Sequence, residues 1–206
     1  MMATAAEYRK IVRACQKLPK PRGNYLDNDF VSTLVGTVMD YQLKERIVSR
    51  AYKYFETNNW DDLRTCQQLR GFLSRFPDTK KGNVKAAMAL WGYHYGNRLR
   101  QLRRLVAFFQ RIGVSDYRSL RRWAHESTFE RDFKGQVKGL AFAVYKWLVM
   151  RLGVETVKPD MWVKRWLQHV SGRPFADAEA VDVLVRAAKE TGRKANIIGL
   201  FVKSCG

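Results

Sequence analysis

The stretch Phe133–Leu167, FKGQVKGLAFAVYKWLVMRLGVETVKPDMWVKRWL, decides how the chain is read. Two helical patterns follow one another in it, from about Leu140 to Leu152 and from Asp160 to Val170. Gly153 stops the first and Ser171-Gly172-Arg173-Pro174 the second. The turn Val137-Lys138-Gly139-Leu140-Ala141 separates the first pattern from a helix expected before it. A glycine there permits positive φ and the close approach of another backbone. The next helix then presents unpaired N–H groups carrying partial positive charge, a ready seat for a phosphate. Lys134 and Lys138 add full charges beside it. Many helix pairs share such a turn, so its meaning depends on what surrounds it.

Outward from this stretch the pattern stays helical. Phe30, Leu34, Val35 and Val38 recur at helical spacing after Asp27-Asn28-Asp29, which offers caps. Leu43 to Phe55 sets Ile47, Ala51, Tyr54 and Phe55 on one face, and Val84 to Trp91 follows. Leu99 to Ile112 carries an apolar stripe of Leu102, Leu105, Phe109 and Ile112, with Arg98, Arg100, Arg103, Arg104 and Arg111 on its other faces. Shorter patterns run over Tyr117–Ala124, Ala178–Lys189 and Ala195–Val202. The five prolines, Pro19, Pro21, Pro77, Pro159 and Pro174, fall between helices, where a missing N–H does least harm. No strand alternation, repeat or low-complexity linker interrupts this, so the fold class is all-α. A single unit over 1–206 is expected, with lobes of about 28–130 and of 1–27 plus 131–206. A lobe boundary near Pro77–Asn83 is a further candidate.

The charge narrows the partner. Lys and Arg number 38 against 19 Asp and Glu, a formal +19. So large an excess costs self-repulsion, and a polyanion is the usual reason to carry it. Nucleic acid, double-stranded DNA or RNA, is the expected partner, ahead of an anionic membrane surface and of a merely basic surface. Cys15, Cys66 and Cys205 are an odd number without a C-x-x-C pair, which supports neither a disulfide framework nor a zinc or iron–sulfur site. His94, His125 and His169 are scattered without metal-ligand spacing. No metal and no cofactor is therefore expected. No apolar run reaches signal-peptide or membrane-span length. The expectation is a cytoplasmic, DNA-associated monomer away from membranes.

After the second loop of the opening stretch comes Val157-Lys158-Pro159-Asp160-Met161-Trp162-Val163-Lys164-Arg165. With Lys138-Gly139-Leu140-Ala141 as the hairpin and Asp160 as the acid 21 residues after Gly139, the chain resembles the helix-hairpin-helix DNA glycosylase superfamily (HhH-GPD). Upstream, Val38-Met39-Asp40-Tyr41-Gln42 resembles the family helix whose Gln enters the gap left by a flipped base. Gly92-Tyr93-His94-Tyr95-Gly96-Asn97-Arg98 resembles a further family region loosely. The resemblance covers about residues 28 to 203. It implies a two-lobed helical fold with a helix-hairpin-helix DNA-binding element and a catalytic Asp160. It also implies DNA contacts from Lys134, Lys138, Gly139, Leu140, Ala141, Gln42 and Arg165. Tyr41, Phe142 and Trp162 are candidates for a base pocket.

The sequence departs from that pattern at three places. Lys138 replaces the hairpin proline and Ala141 its second glycine. Phe142 or Ala143 stands where bifunctional members carry a nucleophilic lysine, which argues against a Schiff-base lyase mechanism. Lys146, about a turn further on, is a substitute. The four-cysteine iron–sulfur motif of the endonuclease III branch is absent.

The chemistry expected is monofunctional, metal-independent hydrolysis of an N-glycosidic bond of a damaged or modified base, as in base excision repair. A base must leave the duplex stack before that bond can be reached. Asp160 as carboxylate would then stabilise the developing sugar cation and orient or deprotonate water. Competing readings stand beside this one. Asp160 serves as an ordinary helix cap, Gln42 as a polar helix end, the aromatics as core and the arginines as a solvated face. Together these would make a non-catalytic helix-hairpin-helix DNA-binding protein.

Overall fold

Asp29 opens a helix that is apolar on nearly every side. Its carboxylate accepts hydrogen bonds from the Ser32 amide (2.7 Å) and the Ser32 hydroxyl (2.5 Å). It thereby caps α2 (Phe30–Met39), all of whose residues are buried. Such a helix needs neighbours all round, and α3 (Glu45–Asn58), α4 (Cys66–Ser74) and α6 (Gly96–Arg111) pack on it. Its polar residues are satisfied internally: the Thr33 and Thr37 hydroxyls each donate to the carbonyl four residues back, at 2.7 Å. The computed structural model describes residues 3–19, 27, 29–40, 43, 45–59, 61–196 and 198–199.

The chain divides into two compact units, Asp27–Leu148 and the two chain ends, Met1–Leu26 with Val149–Gly206. Among the described residues both are helical and neither contains a strand. The all-α reading therefore holds. No helix among them is long and apolar enough to cross a membrane.

In the Asp27–Leu148 unit, α5 (Lys80–Trp91) runs along α6 and also meets α3. A Cβ on Gly82 would stand 2.1 Å from the Pro77 carbonyl oxygen, so only glycine lets this helix start so close to the chain before it. Pro77–Asn83 thus lies inside this unit, at the α4–α5 connection. α7 (Tyr117–Glu126) begins at Asp116, which accepts from the Ser119 amide (2.7 Å). A five-residue π-helical turn, Phe129–Phe133, follows, and then α8 (Phe142–Arg151), whose residues up to Leu148 belong to this unit. These last elements close an aromatic core. Phe133 meets Phe108 edge-on at 5.6 Å and Tyr145 at 5.5 Å, and Trp123 lies edge-on to Phe109 at 4.8 Å. Each such pair adds roughly 0.5–1.5 kcal/mol beyond the area it buries.

In the other unit, α1 (Ala5–Lys17) packs against both α9 (Met161–Ser171) and α10 (Asp177–Glu190). Thr4 and Glu7 form a reciprocal capping box that starts α1. Ile11, Val12 and Cys15 are its buried face. Arg173 then ties α1 to α10, bonding Glu7 at 3.0 Å and Glu179 at 2.5 Å.

Several pattern-based expectations shift. Tyr54 and Ile112, read as members of apolar stripes, are 38% and 42% exposed. Ile112 lies past the last turn of α6, at its C-cap, and so escapes the packed face. The helix expected from Leu140 starts at Phe142, because the Leu140 amide is tied back to the Val137 carbonyl (3.1 Å). Of the expected helix Ala195–Val202, residues 197 and 200–202 lie outside the described residues.

Candidate nucleic-acid interface and capping acid

The turn between residues 134 and 141 belongs to the Asp27–Leu148 unit. What precedes it is the short π-helical turn rather than a full α-helix. Gly139 adopts φ +88°, a left-handed conformation that a side chain resists. α6 holds this turn by its backbone. Gln101 Nε2 donates to the Gly139 carbonyl (3.4 Å) and Arg104 donates to the Lys138 carbonyl (3.2 Å). Arg111 donates to the Gln136 side-chain oxygen (3.0 Å). The sequence showed the arginines of α6 but not these partners, since nothing in the pattern links 101–111 to 136–139. A Cβ on Gly139 would come within 3.2 Å of Gln101 Nε2.

The side chains named on this turn play different parts. Lys134 pairs with Glu130 at 2.6 Å, both well exposed, and such surface pairs contribute little. Lys138 is exposed and forms no ion pair among the described residues. Leu140 is buried and anchors the turn in the core. Ala141 precedes α8 and has no side-chain acceptor, while its carbonyl accepts from Val144 (3.0 Å) and Tyr145 (3.1 Å). Phe142 is half-buried and meets Phe129 edge-on at 5.2 Å, so its ring is part of the aromatic core. Lys146 sits over the Phe142 and Tyr145 rings (5.4 and 5.7 Å), and burial lowers its ammonium below the usual lysine value.

Asp160, Trp162 and Arg165 form a separate group in the second unit. Pro159 keeps the chain extended before the helix. Asp160 caps α9, accepting from the Trp162 and Val163 amides, each at 3.1 Å. The carboxylate is half-buried. Met161 and Trp162 are exposed, at 50% and 37%. Arg165 lies over the Trp162 ring, 5.6 Å from its centre. A shallow groove beside them is lined by Met161, Lys164, Arg165, Gln168, Pro174 and Phe175. Lys164 is held by Asp177 at 2.7 Å. Tyr41 and Gln42 lie outside the described residues.

Among the described residues, no group of three or more His, Cys, Asp or Glu is placed to hold a metal ion. Cys15 and Cys66 are free and buried. Burial pushes the Cys15 thiol up to about 12. The chain matches the family described as a domain of unknown function (DUF8548) over residues 9–199, and it belongs to that family. No curated protein and no solved structure matches it.

Proposed function

We propose that the chain is a monofunctional DNA glycosylase of the helix-hairpin-helix kind, hydrolysing the N-glycosidic bond of an altered base flipped out of duplex DNA. The observation that carries this reading is the 134–141 turn. A positive-φ glycine and an exposed lysine lead into a helix that has no acceptor side chain at its cap position. That is chemistry suited to a phosphate. The +19 charge supports the same partner. Asp160 is the proposed carboxylate for the sugar cation and the attacking water. Trp162, exposed beneath Arg165, is the aromatic surface offered to a base. Lys138 contacts a phosphate in this reading, and Lys134 and Arg165 add charge.

A second reading is a non-catalytic DNA-binding protein. It is favoured by the two amide bonds of Asp160, which account for an aspartate there without catalysis. One assay separates the two. Duplexes carrying a panel of altered bases are incubated with the protein, and abasic sites are cleaved with alkali. Breaks that disappear in Asp160→Asn while duplex binding persists support the enzyme. Binding with no abasic product across a broad panel favours the second reading. Breaks without alkali, together with borohydride trapping lost in Lys146→Met, would assign a lyase step to Lys146.

A further inference from the structure

The arginines of residues 98–122 divide into two sets, with Arg100 of α6, half-buried and unpaired among the described residues, belonging to neither. On α6, Arg98 donates to Gln101 (3.2 Å) and Arg103 to Asn83 (2.8 Å) and the Phe76 carbonyl (2.7 Å). Arg104 and Arg111 hold the 134–141 turn. These guanidiniums are committed to the protein's own backbone and amides. On α7 the position is reversed. Arg118, Arg121, Arg122 and His125 are spaced i, i+3, i+4 and i+7, so they share one face of the helix. All four are exposed, and with Tyr117 they line one shallow groove. None of them forms an ion pair among the described residues.

The groups facing this stripe offer little relief. Asp116 is engaged as the α7 cap, with hydrogen bonds from the Ser119 amide (2.7 Å) and hydroxyl (2.9 Å). Tyr117 donates to the Asp27 carbonyl. Like charges one turn apart destabilise a helix. Asp116 relieves Arg118 in part, Glu126 lies four residues from Arg122 without an ion pair to it, and the remaining repulsion stands. The opposite face, with Leu120 and Ala124, is buried in the unit's own core. α7 therefore has no apolar face to give to a lipid interface, which a surface-lying membrane helix requires.

We propose that the Arg118–Arg121–Arg122–His125 face of α7 is a docking surface for the phosphodiester backbone of duplex DNA, separate from the 134–141 turn. The inference rests on the DNA reading above and extends it to a second contact. Guanidinium forks match phosphate oxygens in pairs and remain charged at any working pH. From residue 118 to 125 the helix rises about 10 Å, a length that spans roughly three phosphates of one strand.

The test is a salt titration of binding to a short duplex with no altered base, using the full chain and fluorescence anisotropy. The variant is Arg118→Gln/Arg121→Gln/Arg122→Gln. The control removes three exposed cations from α1, as Arg9→Gln/Lys10→Gln/Arg13→Gln. The plot of log Kd against log salt is expected to become shallower by about 2 to 3 in the α7 variant, with affinity at physiological salt falling at least tenfold. The control should change the slope by less than half as much. Lys in place of Arg at the three positions should restore most of the slope. If the triple variant does not fold, Arg121→Gln and Arg122→Gln singly should each remove about 0.9 from the slope. An unchanged slope, an equal loss in the control, or a parent chain that fails to bind the duplex overturns the proposal. So does loss of binding confined to vesicles of anionic lipid or to single-stranded RNA. Because the probe has no excisable base, failure of the excision assay leaves this readout intact, and an unchanged slope leaves excision standing.

Discussion

Asp160 does work that asparagine can also do, and that makes its two roles separable. Asn is as good an N-cap as Asp, whereas Ala has no acceptor. Asp160→Asn should therefore melt within about 0.5 kcal/mol of the parent, while Asp160→Ala should cost about 1 kcal/mol. Chemical denaturation of the two variants checks this. Only Asn then tests the carboxylate's chemistry cleanly, and excision should fall at least about a hundredfold in that variant if Asp160 is the acid. Lys146 is a second residue whose environment can be read out. Burial favours its neutral form, so it should be modified by a small acylating reagent at lower pH than the exposed lysines. A peptide map of labelled protein over pH 6 to 10 would show it, and labelling no earlier than Lys138 would contradict it.

At the scale of elements, two glycines set geometry that no helix propensity predicts. Replacing a glycine inside a helix by alanine normally stabilises by up to about 1 kcal/mol. At Gly82 the sign should reverse, because the new Cβ would stand 2.1 Å from a backbone oxygen that cannot yield without moving Pro77. Gly82→Ala should lose about 2 kcal/mol or more, a typical cost of overpacking, read as a lower melting temperature. Gly139→Ala acts differently. Its φ of +88° strains any side chain, at roughly 1–2 kcal/mol. It also crowds Gln101, which supports the turn from α6. Duplex affinity should fall more in this variant than in Gln101→Ala, which removes only one weak support. Equal affinities for Gly139→Ala and the parent would detach the turn from binding.

For the whole molecule, acid stability is fixed in part by charge pairs at the junction of α1 and α10. Glu7 is held below its ordinary value of 4.5 by the Thr4 amide and by Arg173, and Glu179 is held below it by Arg173. A carboxylate whose folded value is depressed contributes stability that is present above the unfolded value and lost as pH falls through the folded one. The melting temperature should hold between pH 7 and 5 as far as these groups decide it, then drop below about pH 4.5. Glu7→Gln with Glu179→Gln should lower it at pH 7 and flatten that drop. A drop as steep in the double variant as in the parent would place the acid sensitivity elsewhere. Charge acts on the same scale in the opposite sense. With 38 basic side chains against 19 acidic ones, moderate salt should raise the melting temperature by screening repulsion.

Helical class, most helix bodies and the caps at Asp29 and Asp160 were legible in the sequence, because they depend on spacing and on a side chain reaching its own backbone. The +19 charge excess, on which the expectation of a polyanionic partner rests, was a matter of counting. Local rules do not reach further. α4 has a reciprocal cap at Thr65 and Gln68 but only a short apolar pattern, and the π-helical turn has Phe133 buried by rings distant in sequence. Which arginines are free for a phosphate was likewise closed to periodicity. Arg104 and Arg122 look alike in the sequence, and only the fold turns one onto a carbonyl of the 134–141 turn and leaves the other exposed. The pairing of α1 with α9 and α10 was also decided by long-range packing, since burial rewards contacts between faces that the sequence keeps about 150 residues apart.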